Sequence, residues 1–215
     1  TLRPGISGEV ANGSPTGLFL TGFNSAAQVA LRGNEVYLED ANGNPQGIEV
    51  QQFSGTLLIE NNYIEALEAD IGVGGIRIDR ATGSTLRNNM IVRSTGTSRF
   101  QGILLDESGT TKIYNNTIVQ GVAGSQYWHQ GIRIMSDDTP DVRNNIFVNR
   151  GDTSASGNDF GSIVFNASGN LAYLQNNLFY GPSSPSDWIY LDLGSTTYTD
   201  IADLNDANKV TGGAT

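Results

Sequence analysis

The sequence predicts an all-β chain: a right-handed, single-stranded parallel β-helix of about six coils, with an asparagine ladder and a short C-terminal capping segment. Three observations predict it. The first is a word built on an Asn pair: Ile59-Glu-Asn-Asn-Tyr-Ile64, Leu86-Arg-Asn-Asn-Met-Ile91, Ile113-Tyr-Asn-Asn-Thr-Ile118, Val142-Arg-Asn-Asn-Ile-Phe147 and Leu174-Gln-Asn-Asn-Leu-Phe179, with a degraded copy at Leu31-Arg-Gly-Asn-Glu-Val36. The second residue of each pair falls at 34, 62, 89, 116, 145 and 177, in steps of 28, 27, 27, 29 and 32, and self-similarity at such a period marks a stacked repeat. The second is another recurring word, Gly47-Ile-Glu-Val50, Gly75-Ile-Arg-Ile78, Gly102-Ile-Leu-Leu105 and Gly131-Ile-Arg-Ile134, with late variants Ser162-Ile-Val-Phe165 and Trp188-Ile-Tyr-Leu191. The third is composition: 27 Gly, heavy use of Asn and almost no Lys, which disfavours long helices.

Residues 1–16, bearing Gly and Pro, are read as an N-terminal cap and first turn. Residues 17–193 are read as the coils. Within each coil Gly-Ile-x-Ile is a short alternating strand, a second strand ends at the aliphatic residue two before the Asn pair, and a third begins just after the pair. Stacking coils at about 4.8 Å turns equivalent residues into columns. Two inward columns are wholly aliphatic: Ile48, Ile76, Ile103, Ile132, Ile163 and Ile189, then Leu31, Ile59, Leu86, Ile113, Val142 and Leu174.

The Asn pair divides into two roles. The first column reads Gly33, Asn61, Asn88, Asn115, Asn144 and Asn176; exchange of Asn with Gly signals a left-handed backbone. The second column, Asn34, Asn62, Asn89, Asn116, Asn145 and Asn177, never varies, which predicts an amide ladder along the axis. Residues 194–215 are read as a C-terminal cap and a linker-like tail, with a short helix over 200–207 whose Ile201, Leu204 and Ala207 share one face, and whose Thr199 or Asp200 serves as N-cap.

Composition bounds the function. The net charge is −10, which argues against nucleic acid and suits cationic partners and divalent metals. With no Cys there is no disulfide framework, and no apolar run is long enough to span a membrane as a helix. The chain opens without a signal peptide and reads as a mature secreted chain or a segment of something larger.

With both words in place, the chain resembles the right-handed parallel β-helix, or pectate-lyase-like, superfamily over roughly residues 17–193. That group includes pectinases, alginate epimerases, phage tailspikes and bacterial surface β-helix repeat proteins. The resemblance implies a carbohydrate groove along the outer face of the first strand stack, flanked by loops and turns. The catalytic signatures of the group do not carry over. Asp137-Asp138 follows the single His129, without the Gly-His-Gly of polygalacturonases; Arg143 near Pro140 lacks the pectate-lyase spacing; and the Asp-Pro-His-Glu box of the epimerases is missing.

Loop length singles out one region. The two longest gaps between a third strand and the next first strand precede Gly131 and Ser162, and they carry Tyr127, Trp128 and His129, then Asp159 and Phe160. Insertions in solenoids cluster on the functional face. The ligand-binding expectation is therefore Tyr127, Trp128, His129, Arg133, Asp106, Asp137 and Phe160: aromatic platforms, a cation and carboxylates suited to sugar hydroxyls. The catalytic candidates are His129, Asp137 and Asp138, the one arrangement that pairs a His with acids. Asp79 and Asp106 stand one coil apart with Asp137 and Asp138 following, so Ca2+ is the candidate cofactor, set against an Arg80–Glu107 salt bridge. The sequence points to a non-catalytic extracellular surface, adhesion or structural module, bacterial and secreted, that binds glycan or calcium and can form part of a larger surface assembly. The alternative is a polysaccharide lyase or glycoside hydrolase acting on acidic polysaccharide.

Overall fold

The computed structural model describes residues 16–22, 27–38, 43–67, 72–94, 99–120, 129–136, 138–149, 161–165, 171–180, 188–192, 196–198 and 212. Strands account for about two thirds of them. The first sheet holds β1 (Thr16–Thr21), β4 (Gln46–Gln51), β7 (Gly72–Asp79), β10 (Arg99–Asp106), β13 (His129–Ile134), β16 (Gly161–Phe165), β19 (Trp188–Asp192) and β20 (Thr196–Tyr198), in that spatial order. The second holds β2 (Gln28–Arg32), β5 (Thr56–Glu60), β8 (Thr85–Arg87), β11 (Lys112–Tyr114), β14 (Asp141–Arg143) and β17 (Tyr173–Gln175). The third holds β3 (Glu35–Leu38), β6 (Tyr63–Ala66), β9 (Met90–Arg93), β12 (Thr117–Gln120), β15 (Ile146–Asn149) and β18 (Leu178–Tyr180). Every neighbouring pair is parallel except β19 with β20. The chain visits the three sheets in turn, so each circuit is one coil of a solenoid.

Coil number differs between sheets. The second and third have six strands each. The first starts one strand earlier than its Gly-Ile words suggested, because Leu18 of β1 stacks on Ile48. At the other end Ile163 stands opposite Tyr190, not Ile189, and Val164 opposite Leu191. The backbone of β19 is thus shifted by one residue relative to the sequence column. The expected helix over 200–207 and residues 1–15 lie outside the described residues.

The core is a stack of columns. Ile48, Ile76, Ile103, Ile132 and Ile163 from the first sheet, Ile59, Leu86, Ile113, Val142 and Leu174 from the second, and Ile64, Ile91, Ile118 and Phe147 from the third are all buried. Phe147 stacks on Phe179 with centroids 5.1 Å apart and rings 6° from coplanar. The glycines of the first-sheet word follow from this packing. A Cβ at Gly75 or Gly102 would come within 2.4 Å or 2.6 Å of Ile91 Cγ2 or Ile118 Cγ2, and equally close to the carbonyl oxygen of the next coil's glycine. The third strand's inward side chain occupies the space a first-strand side chain would need.

The expected ladder is present. Asn34 Nδ2 donates to Asn62 Oδ1 at 2.8 Å, Asn62 to Asn89 at 2.9 Å, Asn89 to Asn116 at 2.9 Å, Asn116 to Asn145 at 3.0 Å and Asn145 to Asn177 at 3.0 Å. Each Oδ1 also takes the backbone N–H of the preceding Asn. From Asn62 onward each Nδ2 reaches a backbone carbonyl as well, as Asn89 does to Ile59 at 3.0 Å. Asn89, Asn116 and Asn145 are buried, so an amide that uses both its donors is what the site requires. The preceding column is left-handed as expected, with φ between 54° and 62° at Gly33, Asn61, Asn88, Asn115, Asn144 and Asn176.

Candidate functional site

The outer face of the first sheet is where the sequence places chemistry. Alternation along β10 and β13 buries Ile103, Leu105, Ile132 and Ile134 and turns Leu104, Asp106 and Arg133 outward. Leu104 is in register with Arg133, so Arg133 and Asp106 are diagonal neighbours on one patch. Two of the predicted ligand residues are therefore brought together. Tyr127, Trp128, Asp137 and Phe160 lie outside the described residues.

His129 is placed differently from the expectation. It opens β13 in register with Phe100, which is in register with Val73, and all three are buried. The ring centroids of Phe100 and His129 are 6.4 Å apart. The strand begins two residues before Gly131, so His129 belongs to an inward column and not to a loop over a groove. Burial, reinforced by the nearby Arg93 charge, lowers its pKa to about 4, so the imidazole is neutral around neutral pH. The structure thus places His129 at the start of a strand and inside the stack, not on an exposed loop as the sequence suggested.

Asp138 is also committed. Its Oδ1 accepts from the Gly109 backbone N–H at 2.6 Å and its Oδ2 from Ser136 Oγ at 3.1 Å, while Ser136 Oγ accepts from Glu107 N–H at 2.7 Å. The side chain ties one turn to the next and is buried. Both of its carboxylate oxygens are therefore engaged in hydrogen bonds.

Asp79 and Asp106 are in register, as expected, but the charge balance differs. Arg80 Nε donates to its own neighbour Asp79 Oδ1 at 2.9 Å, and Arg77 lies 3.6 Å from Asp79 Oδ2 and 3.4 Å from Glu49. Glu49 further accepts from Gln51 Nε2 at 2.7 Å and Thr16 Oγ1 at 3.1 Å. The expected Arg80–Glu107 bridge is replaced by Arg80–Asp79. Alternation of side chains breaks at a left-handed residue, and Arg80 has φ 52°, which lets consecutive side chains share one side. Asp106 has its pKa raised, first by burial and then by Asp79 and Glu107. Among the described residues no group of three or more His, Cys, Asp or Glu side chains is arranged to hold a metal.

Two features were not anticipated. Gln52, Arg80 and Glu107 form a second left-handed column, with φ 53°, 52° and 50°. Together with Phe53, Ser54 and Thr82 they line an open depression of about 340 Å³. The signal was available, since these residues follow the first-sheet word at the repeat spacing. The second feature is an ion and aromatic row on the outer face of the second sheet. Arg32 and Arg87 both pair with Glu60 at 2.6 Å. Arg143 donates to Asp141 from Nε at 2.6 Å and Nη2 at 2.9 Å, and its guanidinium stands 4.1 Å from the Tyr173 ring centroid. Tyr114 donates to Asp141, and burial with that carboxylate pushes its pKa to about 12.

Among the described residues no helix is long and apolar enough to cross a membrane. A family model described as right handed beta helix region matches residues 14–200. No curated protein and no solved structure gives a match.

Proposed function

The chain belongs to the right-handed β-helix family, and on that premise we propose that it is a non-catalytic, secreted bacterial surface module that binds glycan on the outer face of its first sheet. One observation carries this reading: most of the titratable groups on and around that face are already used as structural ties. Asp79 is held by Arg77 and Arg80, Glu49 by Arg77, Gln51 and Thr16, and Asp138 by Gly109 and Ser136, while His129 is buried among core residues. Acid–base catalysis needs a positioned pair able to exchange protons. Binding needs only directional polar groups beside an apolar surface, and Arg133, Leu104 and Asp106 supply one of each. Tyr127 and Trp128 precede this strand directly in sequence and provide the aromatic platform of the proposal. Asp79 and Asp106 stand in register, and Ca2+ is proposed as an ion that such paired carboxylates share with an acidic glycan.

The test is a polysaccharide panel with and without Ca2+. Retention of an acidic glycan is expected, with at least tenfold weaker binding for Arg133→Ala and Trp128→Ala and no new unsaturated or reducing ends. Product formation that depends on Asp106 or Asp137 would establish the lyase or hydrolase alternative. Binding indifferent to both substitutions would place the ligand elsewhere.

A further inference from the structure

The third sheet has an outer face unlike the other two. Its two outward columns are Glu35, Tyr63, Met90, Thr117, Ile146 and Leu178, and Tyr37, Glu65, Val92, Val119, Val148 and Tyr180, each in register from coil to coil. Of the eight exposed large hydrophobic residues among the described ones, five lie here: Tyr37, Met90, Ile146, Leu178 and Tyr180, at 39–67% exposure. The second sheet, by contrast, covers its outer face with ion pairs. Among the described residues the only carboxylates on the third face are Glu35 and Glu65, both in its first two strands, and Glu65 already accepts from Tyr63 Oη at 2.8 Å. The face is therefore polarised, acidic at its N-terminal end and apolar at its C-terminal end.

We propose that this face pairs with the same face of a second copy of the chain, the two solenoid axes running antiparallel. Area supports a second copy. At about 200 Å² for a large side chain, the five residues leave roughly 500 Å² of apolar surface exposed, at the upper end of what a monomer ordinarily shows. Two such faces bury about 1,000 Å² together, the lower bound for a specific interface and the range of weak, reversible ones. Shape supports it too, since in-register columns give a flat, repeating surface and two such sheets pack face to face at about 10 Å.

Charge chooses the orientation. With axes parallel, Glu35 and Glu65 of both copies would crowd one end. A two-fold axis along the strand direction reverses the coil order while keeping the columns aligned. Glu35 then faces Leu178 of the other copy, Tyr37 faces Tyr180, Tyr63 faces Ile146, and Met90 meets Thr117 at the centre, where Val119 is already buried within its own chain. No carboxylate on this face meets its own kind.

Sedimentation equilibrium tests the pairing, and mixed cysteine variants test its direction, which is simple in a chain with no native Cys. A concentration-dependent dimer is expected, strengthened by added salt because each copy carries a net charge of −10. Leu178→Asp should weaken it at least tenfold while leaving the urea midpoint unchanged, since that side chain is 58% exposed. On oxidation, Tyr37→Cys mixed with Tyr180→Cys should give mainly the mixed disulfide. A monomer at all concentrations overturns the proposal, whether another protein covers the face or none does. Weakening by salt, or homodisulfides in place of the mixed one, overturns the interface or its orientation.

Discussion

Each coil bends between its second and third strands, and the early coils bend again just after the first strand. At the former, the left-handed residue is Asn in five coils and Gly33 in the sixth, and its successor is always Asn. At the latter, the left-handed residues are Gln52, Arg80 and Glu107, with no shared chemistry. The backbone conformation is the same, so backbone strain cannot explain the difference. What differs is the residue that follows. After the second strand it is a buried amide bonded to the coils on either side. After the first strand it is Phe53, Ala81 or Ser108, each buried but forming no continuous side-chain ladder, although Ser108 Oγ donates to Ile78 O at 2.9 Å, and the left-handed side chains line an open depression. A bend restricts its sequence where the next side chain must complete a buried hydrogen-bond network, and only there.

Asn89→Ala should test this comparison most severely. It removes the bonds from Nδ2 to Ile59 and Asn116 and the acceptor used by Asn62 N and Nδ2. Leaving such groups buried and unsatisfied should cost about 3 kcal/mol, read as a lower urea midpoint at an unchanged slope. The neighbouring position should be far more tolerant. Asn88→Ala should cost about 1 kcal/mol, because Ala lacks the short polar side chain that lets Asn tolerate the left-handed region, whereas Asn88→Gly, and Arg80→Gly at the other bend, should stay within about 0.5 kcal/mol. Equal losses at 88 and 89 would erase the distinction. The smallest effect concerns charge. Because Asp106 has a raised folded-state pKa, its ionised form is penalised at neutral pH and the penalty vanishes below the ordinary carboxylate pKa of about 4. Asp106→Asn should raise the melting temperature at neutral pH, and the gain should disappear in acid. A gain that persists in acid would show that electrostatic repulsion is not its source.

The features legible in the sequence were those locked to the repeat. The ladder, the left-handed Asn column and the three strands of each coil depend on residues that recur in phase, because stacking places equivalent positions in identical surroundings. β1 went unrecognised because Gly17-Leu18-Phe19-Leu20 carries leucines where later coils carry isoleucines, although Gly17 meets the same crowding against Val36 and Gly47. His129 was misplaced because a loop boundary was drawn at Gly131, yet it stands two before its glycine as Phe100 does before Gly102. The Arg80–Asp79 pair could not be read, since strand alternation predicts opposite faces and only the left-handed backbone at Arg80 overrides it.

The ladder also works as a checkpoint on the winding of the chain. The loops between coils vary, and the step between ladder residues grows from 27 to 32, yet the Asn145–Asn177 bond is 3.0 Å, like the Asn116–Asn145 bond before it. A misthreaded loop would present a different residue to the amide row and forfeit its bonds, so the ladder fixes the same register at every coil whatever the loop length. After Asn177 no further ladder residue is seen among the described residues, and the next strand of the first sheet is the one that departs by a residue from the column its sequence word suggests. A register fixed in this way lets the chain accept new loops coil by coil. Insertions that preserve the arrival of Asn should therefore be tolerated more readily than a single residue added between a second strand and its Asn pair.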